Sequence, residues 1–265
     1  MNILWNYVIK TQYPYNLYFF WGIPSLFFHI LICSYFSYKD IKKIKNNKIQ
    51  KDYFPSLNHI LNISIPQLII FFFMMYLQFM YPITIELPQE VLTLKEHILE
   101  IFKLVIVGDF LLYCYHRLAH INKWFRNNIH DVHHTYSAVF SWAGTYIHPI
   151  ELICSTATQI IPHIIFSPHP LSIWIHMCIW TILLDEQHSG YNESWSPWNL
   201  LPFEFGGGAL PHNIHHIKQN YNYGFIFNIW DIIFSTYHKP YDKNGNICPN
   251  IYVPPYKLKF KTKNK

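Results

Sequence analysis

Residues 98–120 of the chain read ILEIFKLVIVGDFLLYCYHRLAH, an apolar run that ends in two histidines. Residues 98–115 are mostly apolar and approach the length that crosses a bilayer core, about 20 residues at a rise of about 1.5 Å each. The run is followed by His116 and His120, which are four positions apart and therefore lie on one face of a helix. The stretch predicts a helix that leaves a membrane and ends in a pair of metal-binding side chains.

The composition excludes an ordinary soluble protein. Of 265 residues, 51% are hydrophobic and 13% are charged, whereas charged residues make up about a quarter of a soluble domain. The 17 histidines outnumber the 15 acidic residues, which is the unusual feature of the chain. The five cysteines are scattered without a CxxC pair, so they do not predict a disulfide framework.

Several apolar runs predict an all-α integral membrane bundle. Residues 17–37, 60–82 and 98–115 are candidate spans, and residues 152–166 and 171–184 predict a tight or re-entrant helical hairpin. A pair of buried core helices is the alternative for the last two runs. We therefore expect about four to five membrane helices or re-entrant segments, with a histidine-rich helical catalytic region on the cytosolic side. The expected division is an anchor at 1–97, a catalytic domain at 98–240 and a basic tail at 241–265.

The positions of the lysines predict the orientation in the membrane. Six lie between residues 39 and 51, after the first span, and five lie between residues 257 and 265. This is the pattern of a membrane edge and not of a nucleic-acid surface, and it places both segments in the cytosol. No cleavable signal is evident, so the first span should remain as an anchor. Lys261 and Lys263 resemble a K-x-K-x-x retrieval signal of endoplasmic reticulum proteins; a basic tail that contacts anionic lipid is the alternative.

The spacing of the histidines predicts two metal ions. The chain contains HRLAH at 116–120, HDVHH at 130–134 and HNIHH at 212–216. Positions i, i+3 and i+4 project from one side of a helix, so each motif presents several imidazoles together. Eight imidazoles exceed the three or four that one tetrahedral zinc takes. The predicted ligands are His116, His120, His130, His133, His134, His212, His215 and His216.

Other residues are weaker candidates. His188 follows the predicted hairpin, and Asn192 at i+4 is placed to hydrogen-bond a ligand or to reach a metal through water. His148 is a further, weaker ligand candidate that could instead orient the start of a helix. Asp109 lies inside an apolar helix on the side of His116, which favours support of a metal ligand or a substrate channel, with helix packing as the alternative. Residues 206–208 are Gly-Gly-Gly, and we expect a flexible loop there.

The order of the motifs carries a resemblance to a known family. HRLAH, HDVHH, YIHPIE, QHSGYN, PHNIHH, NYG and WDIIFSTY follow one another over roughly residues 100–240. This order resembles the membrane-bound fatty acid hydroxylase/sterol desaturase superfamily, and it looks most similar to the branch of the 4-methylsterol oxidases and cholesterol 25-hydroxylase. The three histidine motifs are specific to the superfamily, whereas HSGY and the closing Trp-Asp segment indicate the sterol branch less firmly.

The resemblance implies a di-iron oxygenase at the cytosolic face of the endoplasmic reticulum membrane. Two Fe ions and O₂ would hydroxylate an unactivated C–H bond of a sterol or related lipid, with electrons from NAD(P)H through a cytochrome b5-type carrier. The family's ligand positions fall on the eight histidines above and on His188. Relatives often have His-His-Asp where this chain has Pro211-His212-Asn213, and Asn213 can still accept a bond from a ligating histidine. A desaturase, a fatty-acyl hydroxylase and a non-catalytic metal-binding membrane protein remain alternatives.

Overall fold

The computed structural model of the protein describes residues 16–45, 90–136, 139–193 and 196–240, with isolated positions 61, 65, 69 and 88. The expected span at 60–82 and the basic tail at 241–265 lie outside this part of the chain. The α-helices are α1 (Asn16–Lys45), α2 (Leu94–Ile121), α3 (Lys123–Asn128), α4 (Pro149–Phe166), α5 (Pro170–Gln187), α6 (Ala209–Lys218) and α7 (Ile229–Ile233). Short 3-10 helices cover His130–Thr135, Ser141–Thr145, Pro197–Leu200 and Pro202–Glu204. The described residues contain no β-strand, so the predicted all-α class is confirmed.

Helix α2 is the central element, and its ends are determined locally. Thr93 caps the first turn, because its hydroxyl accepts from the Glu96 N–H at 3.3 Å and the Glu96 carboxylate accepts from the Thr93 N–H at 2.8 Å. At the other end, the Asn122 side chain caps α3 by accepting from the Phe125 N–H at 3.0 Å. The helix therefore includes both the predicted apolar run and the HRLAH motif, which occupies its last two turns.

Helices α4 and α5 form the predicted hairpin, but it is open and not tight. Each begins with a proline that follows a histidine cap, and residues 167–169 join them. Ser167 takes a left-handed conformation with φ of 43° at the bend. Both helices pack against α2, and α5 also packs against α1, so α4 and α5 diverge around α2 instead of packing along their lengths. The space between them becomes a cavity that reaches the histidines.

Helix α1 is fastened to α5 and to the segments that flank it. His29 contacts the buried carboxylate of Asp185 at 2.9 Å. The Tyr191 hydroxyl donates to Asp40 at 2.7 Å, and the Trp142 indole N–H donates to Ser37 at 3.0 Å. These contacts hold α1 against the catalytic half of the chain.

The membrane character of the described helices rests mainly on α4. Within the described part of the chain, Pro149–Phe166 is the one helix that is long and apolar enough to cross a membrane. Its exposed side chains include Ile153, Ile164 and Ile165, which a bilayer would cover. The expected total of four to five membrane segments remains a prediction.

The glycines at 206–208 are packed and do not form a flexible loop, so this prediction is wrong. A Cβ at Gly207 would lie 2.3 Å from the Phe225 carbonyl oxygen, and one at Gly208 would lie 2.6 Å from the Trp198 ring. Gly208 also has φ of +89°, which favours glycine. The three glycines let the chain pass closely between Trp198 and the 225–227 segment, directly before α6.

Candidate metal centre

The nine predicted histidines meet in two adjacent groups. In each group one nitrogen of every ring lies within 4.8 Å of the others. The five-histidine group consists of His116, His120, His130, His134 and His215, and the four-histidine group consists of His133, His188, His212 and His216. The rings of His134 and His216, from different groups, are 4.6 Å apart between centroids. The structure therefore brings together every histidine that the sequence singled out as a main candidate.

Each H-x-x-H-H motif is divided between the two groups. His130 and His134 belong to the five-histidine group, whereas His133 belongs to the other; His212 and His216 belong to the four-histidine group, whereas His215 crosses over. The expectation that one motif faces one point is therefore wrong. On a helix, positions i+3 and i+4 differ by about 100° around the axis, so neighbouring rings diverge enough to serve two centres.

The distances between the Nε2 atoms match shared coordination of a metal. His120 Nε2 lies 2.8 Å from that of His130 and 3.2 Å from those of His134 and His215. In the other group, His212 Nε2 lies 2.8 Å from that of His188 and 3.0 Å from that of His216. Two nitrogens that are each about 2.1 Å from one metal, at angles of 90–110°, are separated by about 3.0–3.4 Å.

The hydrogen bonds made by the Nδ1 atoms show that the Nε2 atoms of five rings carry lone pairs. The Nδ1–H groups of four rings donate to backbone carbonyls at 2.8–3.0 Å: His116 to Tyr223, His215 to Tyr221, His216 to Tyr136 and His188 to Leu184. The Nδ1–H group of His130 donates to the Glu151 carboxylate at 2.5 Å. A neutral imidazole has one N–H, so Nε2 is bare in these five rings. The buried Nε2 of His116 has no hydrogen-bond partner in the structure. Converging lone pairs repel one another unless a cation lies between them, and this donor set fits two metal ions.

Burial keeps the imidazoles in the neutral form that binds metals. It lowers the pKa of His130 to about 3 and that of His188 to about 4. Burial and the neighbouring rings lower the pKa values of His133, His212 and His216 well below the usual range. Neutral imidazole is the state that metal binding requires, so the pocket is prepared for a metal at neutral pH.

Acidification is expected to release the metal and then to unfold the catalytic half. An unfolded histidine has a pKa near 6.5, whereas the folded values of His130 and His188 are about 3 and about 4. Because the unfolded state binds more protons below pH 6.5, stability is fully present above that pH and falls as the pH drops toward 4. Metal content and tryptophan fluorescence measured between pH 7.5 and 4.5 would check this. A metal content and fluorescence unchanged down to pH 4.5 would contradict it.

Sequence reasoning missed the groups that orient the rings. Glu151 ends the YIHPIE motif, but the sequence did not predict that it is buried and holds the His130 ring. An acidic residue in the first turn of an otherwise apolar helix was the available signal. His148, the weaker ligand candidate, instead caps α4 by accepting from the Ile150 N–H at 3.1 Å. Backbone carbonyls carry no sequence signal at all.

Two buried aspartates hold the segment that supplies two of those carbonyls. Asp231 accepts from the Tyr223 N–H at 2.9 Å and from the Gly224 N–H at 2.7 Å, and burial raises its pKa to about 6. Asp109 accepts from the N–H groups of residues 226 and 227 at 2.6 and 3.1 Å and from the Trp230 indole at 2.7 Å. We call residues 221–228, which precede α7, the orienting loop, because its carbonyls receive the Nδ1–H groups of His116 and His215.

The three non-histidine candidates lie in different surroundings. The Asp109 carboxylate is bound to the orienting loop, so it acts on His116 through that loop and not by contact. Asn192 is exposed, and α5 ends at Gln187, so the helical i+4 relation to His188 does not exist. Asn213 is buried on α6, and its expected bond to a ligating histidine stays a prediction. Direct roles for these three residues remain predictions.

A cavity between α2, α4 and α5 opens onto the metal centre. Its volume is about 260 Å³, and most of its lining is apolar. Five histidines from both groups form one end, namely His116, His130, His133, His188 and His212. A lipid segment in this cavity would lie next to both candidate metal positions, as a substrate must for oxidation.

Comparisons with known proteins agree with this geometry. The fatty acid hydroxylase family model matches residues 101–236. Cholesterol 25-hydroxylase of Rattus norvegicus is 27% identical over 88% of this chain and 81% of its own length. Methylsterol monooxygenase 2-2 of Arabidopsis thaliana is 34% identical over 54% of this chain and 53% of its own. Very-long-chain aldehyde decarbonylase GL1-11 of Oryza sativa subsp. indica is 34% identical over 49% of each chain. No solved structure matches the chain significantly. The family model spans half of the chain and contains all nine histidines, so the chain belongs to the fatty acid hydroxylase family; it is an oxidoreductase that resembles the sterol oxidases.

Proposed function

We propose that the protein is a membrane-bound non-haem di-iron oxygenase that hydroxylates an unactivated C–H bond of a sterol or related lipid. The observation that carries this proposal is the apolar cavity that ends on histidines of both groups. Hydroxylation consumes O₂, two electrons and two protons, and it yields an alcohol and water. We propose NAD(P)H as the source of the electrons and a cytochrome b5-type carrier as their route to the site.

The residues of the chain divide the remaining work. The nine histidines would hold two irons, which supply the O₂-dependent oxidation of the C–H bond when bound. Leu112, Trp180 and Leu184 line the cavity; they bind the apolar substrate segment and exclude water from it. Glu151 accepts a hydrogen bond from the Nδ1–H group of His130 and thereby keeps the Nε2 lone pair of that ring directed toward the metal position. The orienting loop does the same for His116 and His215 through its carbonyls.

We propose a multi-pass protein of the endoplasmic reticulum membrane, with the metal centre and the C-terminus in the cytosol. The apolar, exposed face of α4 supports membrane insertion. The lysines that follow the first apolar run and those that end the chain support the orientation. The proposed catalytic domain, 98–240, encloses the matched residues 101–236, with the anchor at 1–97 and the tail at 241–265.

Metal analysis combined with turnover tests the proposal. The full chain is purified without oxygen, its iron and zinc are measured, and it is then incubated with sterols, NAD(P)H and a reductase with its b5-type carrier. Near two irons per chain and an oxygenated sterol identified by mass spectrometry would support the proposal. One zinc and no product would contradict it. A new double bond in the product, or oxidation of fatty-acyl lipids only, would instead favour a desaturase or a fatty-acyl hydroxylase.

A further inference from the structure

A third cluster of metal-binding side chains lies where α1 meets α5. His29 and Cys33 are four positions apart on α1 and therefore share one face of that helix. This face meets Asp185, which lies on α5 three residues before His188. A nitrogen of His29, the sulfur of Cys33 and a carboxylate oxygen of Asp185 lie within 4.8 Å of one another. The cluster shares no residue with the two histidine groups.

The distances in this cluster are close to those between ligands of one zinc ion. His29 Nδ1 lies 2.9 and 3.0 Å from the two oxygens of Asp185 and 3.7 Å from Cys33 Sγ. Zinc binds nitrogen and oxygen at about 2.0–2.2 Å and sulfur at about 2.3 Å. At angles of about 90–110°, nitrogen and oxygen ligands are therefore about 2.8–3.5 Å apart, and nitrogen and sulfur ligands are about 3.0–3.6 Å apart. Only a small shift of the Cys33 side chain is needed.

The charges of the three side chains balance those of a zinc ion. A thiolate and a carboxylate bring two negative charges, a neutral imidazole brings none, and Zn²⁺ cancels both. Loading zinc releases the thiol proton of Cys33 and leaves the N–H of His29 on Nε2, so that Nδ1 can bind the metal. Cys33 and Asp185 are both 0% exposed. A site without net charge is far less costly to bury at this place than an unpaired ion.

The surroundings of the cluster support the sulfur and leave a way in. The Ser141 hydroxyl donates to the Asp185 carbonyl at 2.8 Å and lies 3.4 Å from Cys33 Sγ, where it can hydrogen-bond a metal-bound sulfur. The Trp142 ring packs edge-on against His29, with 5.2 Å between the centroids. The His29 side chain is 16% exposed, so an ion can enter along this ring.

We propose that His29, Cys33 and Asp185 form a zinc site that joins α1 to the catalytic half of the chain, with water in the fourth coordination position. Zinc suits this donor set because it binds sulfur, nitrogen and oxygen ligands alike. The site is separate from the two histidine groups, and it does not depend on the proposed oxidation of a lipid. Because Asp185 precedes His188 by less than one helical turn, zinc would also hold the end of α5 that carries this histidine.

Cobalt absorption tests the inference separately from iron binding and turnover. The full chain in detergent is treated with a chelator and a thiol-free reductant, and Co²⁺ is then added. We expect a thiolate-to-cobalt charge-transfer band in the near ultraviolet, which the two histidine groups cannot produce because they contain no cysteine. Excess Zn²⁺ should then remove the band. No band in the parent protein, or a band that excess Zn²⁺ leaves unchanged, would overturn the inference.

Variants assign the band to this cluster. Cys33→Ser is expected to abolish it, and Asp185→Asn to weaken Co²⁺ binding by at least about tenfold. Cys178→Ser is the matched control and should keep the band, because Cys178 also lies on α5 but in none of the three clusters. Size-exclusion in detergent checks that each variant folds.

Two results of these variants would overturn the zinc site. A band that survives in Cys33→Ser, or one that is lost in Cys178→Ser, would show that a different cysteine binds the metal. Unchanged Co²⁺ binding in Asp185→Asn would likewise remove the carboxylate from the site. Protein that shows the expected band but oxidises no lipid would refute the proposed function and not the zinc site.

Discussion

His215→Ala is expected to abolish metal loading and to lower hydroxylation by at least about 100-fold, since altering even an outer partner of a metal ligand costs about 10–100-fold. His215 is fully buried, its Nε2 lies 3.2 Å from those of His120 and His134, and its Nδ1–H donates to the Tyr221 carbonyl. Removing the ring takes one ligand from the five-histidine group and leaves that carbonyl without its donor. Because α6 also carries His212 and His216, a shift of this helix disturbs the other group as well.

Metal analysis of the purified variant is the direct measurement, with His163→Ala as the matched control. His163 is a histidine of α4 that contacts His176 at 3.2 Å and belongs to neither group. The control is expected to keep the iron content of the parent protein. Unchanged iron in His215→Ala would show that the ligand assignment is wrong. One retained iron per chain would show instead that the two groups load independently.

Asp109→Ala is expected to lower the midpoint of thermal unfolding by about 10 °C or more. The carboxylate is fully buried and accepts from two backbone N–H groups and the Trp230 indole. Its loss leaves three buried donors unpaired at about 1–3 kcal/mol each, and each kcal/mol shifts the midpoint by about 2–4 °C in a chain of this size. The midpoint of Asp109→Asn should fall between those of Asp109→Ala and the parent protein, because an NH2 donor replaces one of the two carboxylate oxygens and only one acceptor oxygen remains.

Thermal unfolding followed by size-exclusion in detergent measures this effect, and Glu96→Gln is the control on the same helix. Glu96 is an exposed capping carboxylate at the start of α2, so only a small change is expected there. The result also decides how Asp109 acts. If Asp109→Asn kept the full thermal stability and iron content but lost activity, the residue would act directly on the reaction and not by holding the orienting loop.

The sequence identified the histidines that the structure brings together, because their signal is local. An imidazole at i and i+4 on a helix is placed by the helix itself, so HRLAH and the two H-x-x-H-H motifs identify their residues without tertiary information. Helix α2 was likewise evident from its apolar run. Its capping residues Thr93 and Glu96 are sequence-readable too, although they carry no functional information.

What the sequence could not predict depends on tertiary contacts. The assignment of His133 and His215 to opposite groups follows from how the 130–135 segment faces α6 across the site. The carbonyl of Tyr223 orients the ring of His116, which is distant in the chain, and a backbone oxygen looks the same at every residue. The open angle of the α4–α5 hairpin comes from α2 lying between its arms. Asn192 was misplaced because the i+4 spacing assumes a helix that continues past Gln187, whereas α5 ends there and Gly190 follows with φ of 73°.

Each H-x-x-H-H motif contributes one histidine, His133 or His215, to the group in which the other motif has two, and this division has a consequence for biosynthesis. The five-histidine group is complete only when residue 215 has been made and the four-histidine group only at residue 216, and the carbonyl oxygens that hold His116 and His215 belong to residues synthesised still later. Translation therefore delivers α2, α4 and α5 to the membrane before any whole coordination sphere exists. Capture of iron becomes a late, post-translational event, and a cell starved of iron would accumulate an inserted but immature protein.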